Sequence, residues 1–316
     1  MSRIVLLTTS HRVAPGMLSW PAWQALHGAD RVLCDDPAHP QLPHVREAGV
    51  EVEIARPSAR ELVDDCVSQD RTVVVLATAE GEPQLTDGLA RLAGSGREEM
   101  PELELLPGAY DLPGARLLDL VQVMDRIRAD CPWSGEQSHE GLAKYAIEEA
   151  YELVEAIEAG DRGELLEELG DVLLQVVFHA RIAEDDPEEP FSVDDVAAGI
   201  VTKLIHRHPH VFGEEAAETP EEVQAHWQRT KAAEKRRESV TDGVPLGQPA
   251  LALAAKLSGR ARRAGLPAPP QDRAGTGAEL LALAARAEAE GTDPETALRS
   301  AARAYRDALR GAEQDG

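Results

Sequence analysis

Two acidic clusters sit inside helix-patterned, largely apolar sequence: Glu148-Glu149-Ala150-Tyr151-Glu152 and, after a short gap, Glu168-Leu169-Gly170-Asp171. The second runs directly into Val172-Leu173-Leu174-Gln175-Val176-Val177-Phe178. Carboxylates pressed against an apolar helix pair are costly unless something cationic lies between them. A hard divalent cation, which takes oxygen ligands, meets that need. A Mg²⁺ held by carboxylates points in turn to phosphate chemistry.

Helical spacing sorts the carboxylates. Ala146, Ala150, Leu153 and Ile157 form one apolar face of the first helix, with Glu149 and Glu152 three residues apart on its edge. Glu148 and Glu155 lie further toward solvent. On the second helix Leu165, Leu169, Val172, Val176 and Ala180 make the apolar face. Glu168 and Asp171 flank it, and Glu167 is turned away. The turn at Gly160-Asp161-Arg162-Gly163 makes the helices antiparallel, so the pairs 149/152 and 168/171 can face each other around one or two metal ions. The plain alternative is a solvated acidic face on an ordinary bundle. Another reads Val172 to Phe178 as a buried strand, but the helical pattern continues on both sides. A ferritin-type di-iron bundle needs Glu-x-x-His spacing. Here position 171 is Asp and His179 is off that spacing, so an oxygen-only set favours Mg²⁺ or Mn²⁺.

Composition narrows the partners. The net charge of −25 argues against nucleic-acid polymers and anionic membrane surfaces. No basic and aromatic patch suggests RNA or DNA readout, and no G-x-x-x-x-G-K-[ST] loop is present, which excludes P-loop hydrolysis. The three cysteines, Cys34, Cys66 and Cys131, are widely spaced and suit a reduced compartment. No apolar run is long enough to span a bilayer. No signal-peptide order opens the chain, so a cytoplasmic protein is expected.

The 316 residues suggest two or three domains. Residues 1–114 alternate short β-like runs (Ile4 to Leu7, Arg31 to Cys34, Val50 to Ile54, Thr72 to Leu76) with helical ones, an α/β unit with a largely parallel sheet. Residues 115–238 are helical. Arg116 to Ala129, Ser138 to Ala159, Glu164 to Asp185, a helix capped by Ser192 and reaching His206, and Pro220 to Arg237 are the expected elements. Residues 239–316 hold Ala- and Leu-rich helices without a dense acidic cluster. The fold class is therefore mainly α, a helical bundle with an N-terminal α/β domain.

The central motifs resemble those of MazG-type nucleoside triphosphate pyrophosphohydrolases, whose signature is E-E-x-x-E, a spacer, then E-x-x-D. Here these are Glu148-Glu149-x-x-Glu152 and Glu168-x-x-Asp171. Cys131-Pro132-Trp133 with Gln137, Ser138 and His139 is similar to the family's C-P-W-D-x-x-Q-T-H block, with Ser134 where Asp is usual. Lys203 to Gly213 resembles K-L-x-R-R-H-P-H-V-F-G, with His206 in place of Arg. Trp227, Lys231, Glu234 and Lys235 resemble a W-x-x-x-K-x-x-E-K block. The N-terminal third resembles a truncated tetrapyrrole methylase domain through Trp23 to Asp30, Val73 to Pro83 and Leu106-Pro107-Gly108. It lacks the Gly-Pro-Gly opening and has Ala79-Glu80-Gly81-Glu82-Pro83 where Gly-Asp-Pro is expected, so it reads as non-catalytic. The C-terminal third resembles a second, shortened MazG unit, with Ala278 where a ligand Asp would stand, and reads as catalytically empty.

The resemblance implies a homodimer whose helices complete each four-helix core. It implies Mg²⁺-dependent hydrolysis of nucleoside triphosphates to monophosphate and pyrophosphate, in nucleotide-pool house-cleaning. Glu149, Glu152, Glu168 and Asp171 are the expected metal ligands, with Glu148 the expected proton acceptor. Trp133, Gln137, Lys203, Arg207, Lys231 and Lys235 are the expected substrate contacts. His208 and His210 read as loop-packing residues. The rival class is a non-catalytic nucleotide-binding regulator or scaffold.

Overall fold

Ile4 to Leu7 and Val73 to Leu76 are apolar runs without polar alternation, the pattern of strands covered on both faces. The computed structural model describes residues 2–77, 82–96, 99–234, 238–267 and 275–314, the side chains of 228 and 231–234 excepted. It shows a five-stranded sheet built from β1 (Arg3–Thr8), β2 (Arg31–Cys34), β3 (Val52–Ile54), β4 (Thr72–Ala77) and β5 (Glu102–Pro107). The order is β3-β2-β4-β1-β5 and every pairing is parallel. Between the strands run α1 (Trp20–Gly28), α2 (Leu42–Glu47), α3 (Ala59–Gln69) and α4 (Pro83–Gly94). Strand alternation divides the core. Val5 and Leu7 pack with Ala22, Leu26 and Val45 on one face, and Ile4 and Leu6 with Leu62, Val63 and Leu89 on the other. The short helix α2 and the edge strand β5 escape the sequence reading. In β5 glutamates and leucines alternate, Leu105 is exposed, and Glu104 pairs with Arg3. Charge of this kind protects a sheet edge and disguises it as loop.

The rest is helical, so the chain is mainly α but not all-α. After α5 (Arg116–Asp130) and the single turn α6 (Pro132–Gly135) come α7 (His139–Ala159), α8 (Arg162–Ala183) and α9 (Val193–Arg207). The segment Val172 to Phe178 lies wholly inside α8, which removes the strand alternative. Ser138 caps α7 by accepting from the Gly141 N–H at 3.2 Å. Gly160 ends it at φ +73°, a left-handed conformation that glycine adopts without a Cβ penalty. Asp161 then caps α8, accepting from the N–H groups of Gly163 and Glu164 at 2.7 and 3.2 Å. Two consecutive caps fold the helices back on each other.

The apolar face read from spacing is only partly buried: Ala180 is buried, and Ala146, Leu153, Leu165 and Val172 are half-buried. Leu142 and Ala156 of α7 and Val177, Phe178, Ala180 and Ala183 of α8 are buried. Met124 of α5 packs with Leu142, Val177 and Phe178, joined by Tyr145, Leu174 and Ile182. Ala150, Ile157, Leu169 and Val176 are exposed instead. The hairpin has two apolar sides, and α5 covers one of them.

Ion pairs fix α5 in place. Arg181 reaches Asp125 at 2.9 Å and Arg128 reaches Asp185 at 3.0 Å, tying α5 to α8 and the segment behind it. At the other end Arg12, which follows β1, holds the Asp119 carboxylate with two donors at 2.7 and 2.9 Å. His11 and Arg116 also approach Asp119, at 2.8 and 3.1 Å. The hydrogen bonds from Arg12, with those from Arg116, hold the Asp119 carboxyl far below the ordinary carboxylate range. A depressed carboxyl contributes stability above its unfolded pKa, about 4, and that contribution is lost as pH falls through the folded value. Asp119→Asn is therefore expected to flatten the acid limb of a thermal-stability profile below about pH 4. Melting curves of both proteins against pH check this, and parallel acid limbs would show that the clamp carries no stability.

The chain divides into two compact units, Met1–Ala198 and Gly199–Gly316. The second contains α10 (Pro209–Phe212), α11 (Pro220–Glu234), α12 (Ala250–Arg263), α13 (Thr276–Ala289) and α14 (Pro294–Gln314). Arg262 of α12 clamps Glu288 of α13 through two hydrogen bonds of 3.1 and 3.0 Å. No described helix is long and apolar enough to cross a membrane.

Candidate functional site

Caps and turn place the acidic residues of α7 and α8 opposite one another. Oxygens of Glu149, Glu152 and Glu168 lie within 4.8 Å of one another. Among the described residues this is the one group of three or more His, Cys, Asp or Glu side chains close enough to share a cation. Asp171 stands outside that tight set, yet its charge is felt at both Glu149 and Glu168. Glu148 is exposed on the outer side of α7, next to the cluster but not in it.

Electrostatics makes the cluster unfavourable as it stands. Burial, then the charges of Asp171 and Glu152, pushes the Glu149 carboxyl above the ordinary glutamate range. Burial, then Glu152 and Asp171, does the same at Glu168. The Glu168 Oε2 atom is buried and meets no hydrogen-bond donor among the described residues. Among the described residues no Lys, Arg or His pairs with Glu149, Glu152 or Glu168, whereas the part-buried Asp65, Glu104 and Asp119 of this unit have arginine partners. An all-oxygen donor set with an orphaned buried oxygen and no organic cation fits a hard divalent ion such as Mg²⁺ or Mn²⁺.

The other sequence-selected residues fall in different places. Trp133 of α6 is half exposed, and its ring meets Tyr145 and Phe178 edge-on, each at 6.4 Å between centroids. Gln137 donates to the Trp133 carbonyl at 3.0 Å, while its own carbonyl accepts from Arg128 at 3.1 Å. Both therefore brace the entrance to α7. Lys203 is an exposed residue of α9 in the second unit. Arg207 is buried, with its guanidinium 4.9 Å from the centre of the Trp227 ring, so it joins α9 to α11. His208 lies against the same ring at 5.2 Å, a packing role. The Lys231 side chain and Lys235 lie outside the described residues, as do Ala79, Glu80 and Gly81.

A feature missed in the sequence continues the same groove. Along α8 the positions 168, 171, 175 and 179 recur at helical spacing and form one stripe. Beyond the carboxylates, Gln175 and His179 line a cavity of about 380 Å³ with His139, Ala146, Val172 and Phe191. The Nδ1 atoms of His139 and His179 are 2.8 Å apart, their ring planes within 4°. Burial, and then the neighbouring imidazole, lowers the pKa of His179. The Gln175 Oε1 atom is buried and has no donor. The signal was present: Gln175 is the lone polar residue in an apolar run.

Comparison with known proteins gives the family. Residues 137–212 match the family model described as the MazG nucleotide pyrophosphohydrolase domain. A 26.1 kDa protein of Streptomyces cacaoi is 69% identical over 76% of this chain and 100% of its own length. A nucleoside triphosphate pyrophosphohydrolase of Mycolicibacterium smegmatis is 42% identical over 85% of this chain and 77% of its own. The protein of that name from Mycobacterium tuberculosis is 38% identical, with coverages of 87% and 77%. Identity at this level, over most of both chains and through the segment that carries the acidic cluster, places the chain in the MazG family of nucleoside triphosphate pyrophosphohydrolases, which are hydrolases.

Proposed function

We propose that this chain hydrolyses nucleoside triphosphates to nucleoside monophosphate and pyrophosphate in the groove between α7 and α8. The observation that carries the reading is the convergence of Glu149, Glu152 and Glu168 without a cationic partner, one oxygen of Glu168 being orphaned. The names of the relatives supply the substrate class. Glu149, Glu152, Glu168 and Asp171 would hold Mg²⁺ or Mn²⁺. When bound, the metal neutralises triphosphate oxygens and acidifies water. Glu149 and Glu168 are half-buried, which limits bulk water at those two carboxylates, while Glu152 is exposed. Glu148, exposed and next in sequence to Glu149, is proposed to accept the proton of the attacking water. Lys203, Lys231 and Lys235 are proposed as phosphate contacts on the strength of their motif blocks. A role in clearing triphosphates from the nucleotide pool is proposed on the family resemblance. Three free cysteines suit a cytoplasmic setting.

The working form is proposed to be a homodimer. Ile147, Ile157, Leu166 and Leu169 are 51 to 76% exposed on the side of the hairpin that α5 leaves open. Covering such a side chain contributes about 1.5–3 kcal/mol. Four from each of two copies sum to on the order of 10 kcal/mol, enough to offset the usual cost of association.

Turnover in labelled water tests the reaction. With Mg²⁺ or Mn²⁺ and a panel of nucleoside triphosphates, activity is expected to vanish in excess chelator and to return with the ion. Hydrolysis in ¹⁸O-water is expected to place the label on the monophosphate. Label in pyrophosphate, or a diphosphate intermediate, would put attack elsewhere than the α-phosphorus. Nucleotide binding without turnover would favour the regulator or scaffold reading.

A further inference from the structure

The cavity beyond the acidic cluster has polar groups that the proposed reaction does not use. We propose that it is a nucleobase pocket, in which the Gln175 amide oxygen and the His139–His179 pair read the base edge of the substrate. The inference rests on the reading of the acidic groove as a triphosphate site. Its first support is position. Gln175 lies seven residues beyond Glu168 on one stripe of α8, an axial distance of about 10 Å at 1.5 Å per residue. That is the scale of the sugar and phosphate linking a base to its triphosphate end. The cavity of about 380 Å³ is walled by Ala146, Val172 and the Phe191 ring, surfaces suited to the faces of a planar heteroaromatic.

The second support is the pattern of donors and acceptors. A contact of 2.8 Å between Nδ1 atoms needs one proton between them: one ring donates from Nδ1 and the other accepts there, and the pattern that follows is that of the pair with both rings neutral. A neutral imidazole carries a hydrogen on one nitrogen only. The donating ring therefore has a bare Nε2, and the accepting ring an Nε2–H. Whichever ring donates, the pair presents one acceptor and one donor. Gln175 adds a buried acceptor that meets no donor among the described residues. A buried acceptor left unmet is unfavourable, and an exocyclic amino group meets it. The pocket is thus matched to amino-bearing bases such as adenine and cytosine, and less well to their oxo counterparts hypoxanthine and uracil.

Two measurements on the full chain test this. The first compares kcat/KM for ATP against ITP and for CTP against UTP, with Mg²⁺, in the wild type and in Gln175→Leu. The expected wild-type preference for the amino base is about tenfold, from the cost of leaving the amide oxygen unmet, and the variant brings both ratios close to one. Gln175→Met serves if the leucine variant does not fold. The second follows the ring resonances of labelled His139 and His179 on addition of adenosine 5′-monophosphate, with ribose 5-phosphate as control. Shifts with the first ligand and none with the second support the pocket. Rings unmoved by adenosine 5′-monophosphate overturn it, and a second copy of the chain filling the cavity would give that result. Ratios untouched by both substitutions overturn the role of Gln175. If no triphosphate is turned over, the pyrophosphohydrolase reading fails by itself, and the ring resonances still decide the pocket.

Discussion

Glu168→Gln is expected to lower turnover by about two to three orders of magnitude and, in the absence of divalent metal, to raise the melting temperature. The two effects have one cause. Glu168 stands beside Glu152 and Asp171 with a buried oxygen that has no donor, so its charge is useful only when a cation is present. The folded carboxyl titrates above the ordinary glutamate value of about 4.3. Such a group favours the folded state below the unfolded pKa, and that advantage is lost as pH rises through the folded value. At neutral pH the metal-free cluster is therefore under repulsion, which a neutral amide relieves. Glu149→Gln behaves in the same way, and Glu152→Ala and Asp171→Ala also cost orders of magnitude in turnover. Glu167→Ala, on an exposed side of α8, is expected to leave turnover within about threefold. Steady-state kinetics with Mg²⁺ and melting curves in chelator check the set. A Glu168→Gln protein that lost both activity and metal-free stability would indicate damaged packing and remove the charge argument. An effect of Glu167→Ala equal to that of Glu168→Gln would mean that the groove is not where the chemistry occurs.

Leu169→Asp is expected to convert a dimer into a 34.1 kDa monomer and to abolish most of the activity. Leu169 is 51% exposed in the single chain, one position from Glu168 and on the side of the hairpin without α5. A carboxylate introduced there would be buried against apolar surface in the assembly, next to a cluster that is already acidic, so association should weaken by at least about a hundredfold. Leu166→Asp, at 76% exposure on the preceding turn, should act in the same direction. Sedimentation velocity gives the mass, and a matched activity assay shows whether the site needs its second copy. A wild-type chain that is fully active as a monomer would overturn the dimer.

Several features were legible because they depend on local chemistry. The two caps at Ser138 and Asp161 and the left-handed Gly160 bound the helices within a residue or two of the positions read from sequence. Three-residue spacing brings Glu149 and Glu152 to one edge whatever the tertiary structure. The sheet was legible in its interior, where Ile4 to Leu7 and Val73 to Val75 are buried, and illegible at β5, whose alternating glutamates suit an edge. The buried face on α7 and α8 was legible only in part, for a different reason. Periodicity shows that a face is apolar, and only the placement of α5 shows which face is covered. The histidine pair joins residues 40 positions apart, and no spacing rule on one helix could have found it.

The turn at Gly160 and Asp161 has an evolutionary consequence. The three clustered carboxylates and Asp171 beside them all come from positions 149 to 171, and the helices that carry them meet through a single tight connection. Contacts this local form without waiting for distant parts of the chain, since little loop-closure entropy has to be overcome first. The acidic groove is thereby insulated from its neighbours. Substitutions can accumulate in the parallel sheet at one end and in the α12–α14 helices at the other while the hairpin stays under its own selection. A site built within one hairpin can be carried between differently decorated chains, fused or duplicated, with its geometry intact.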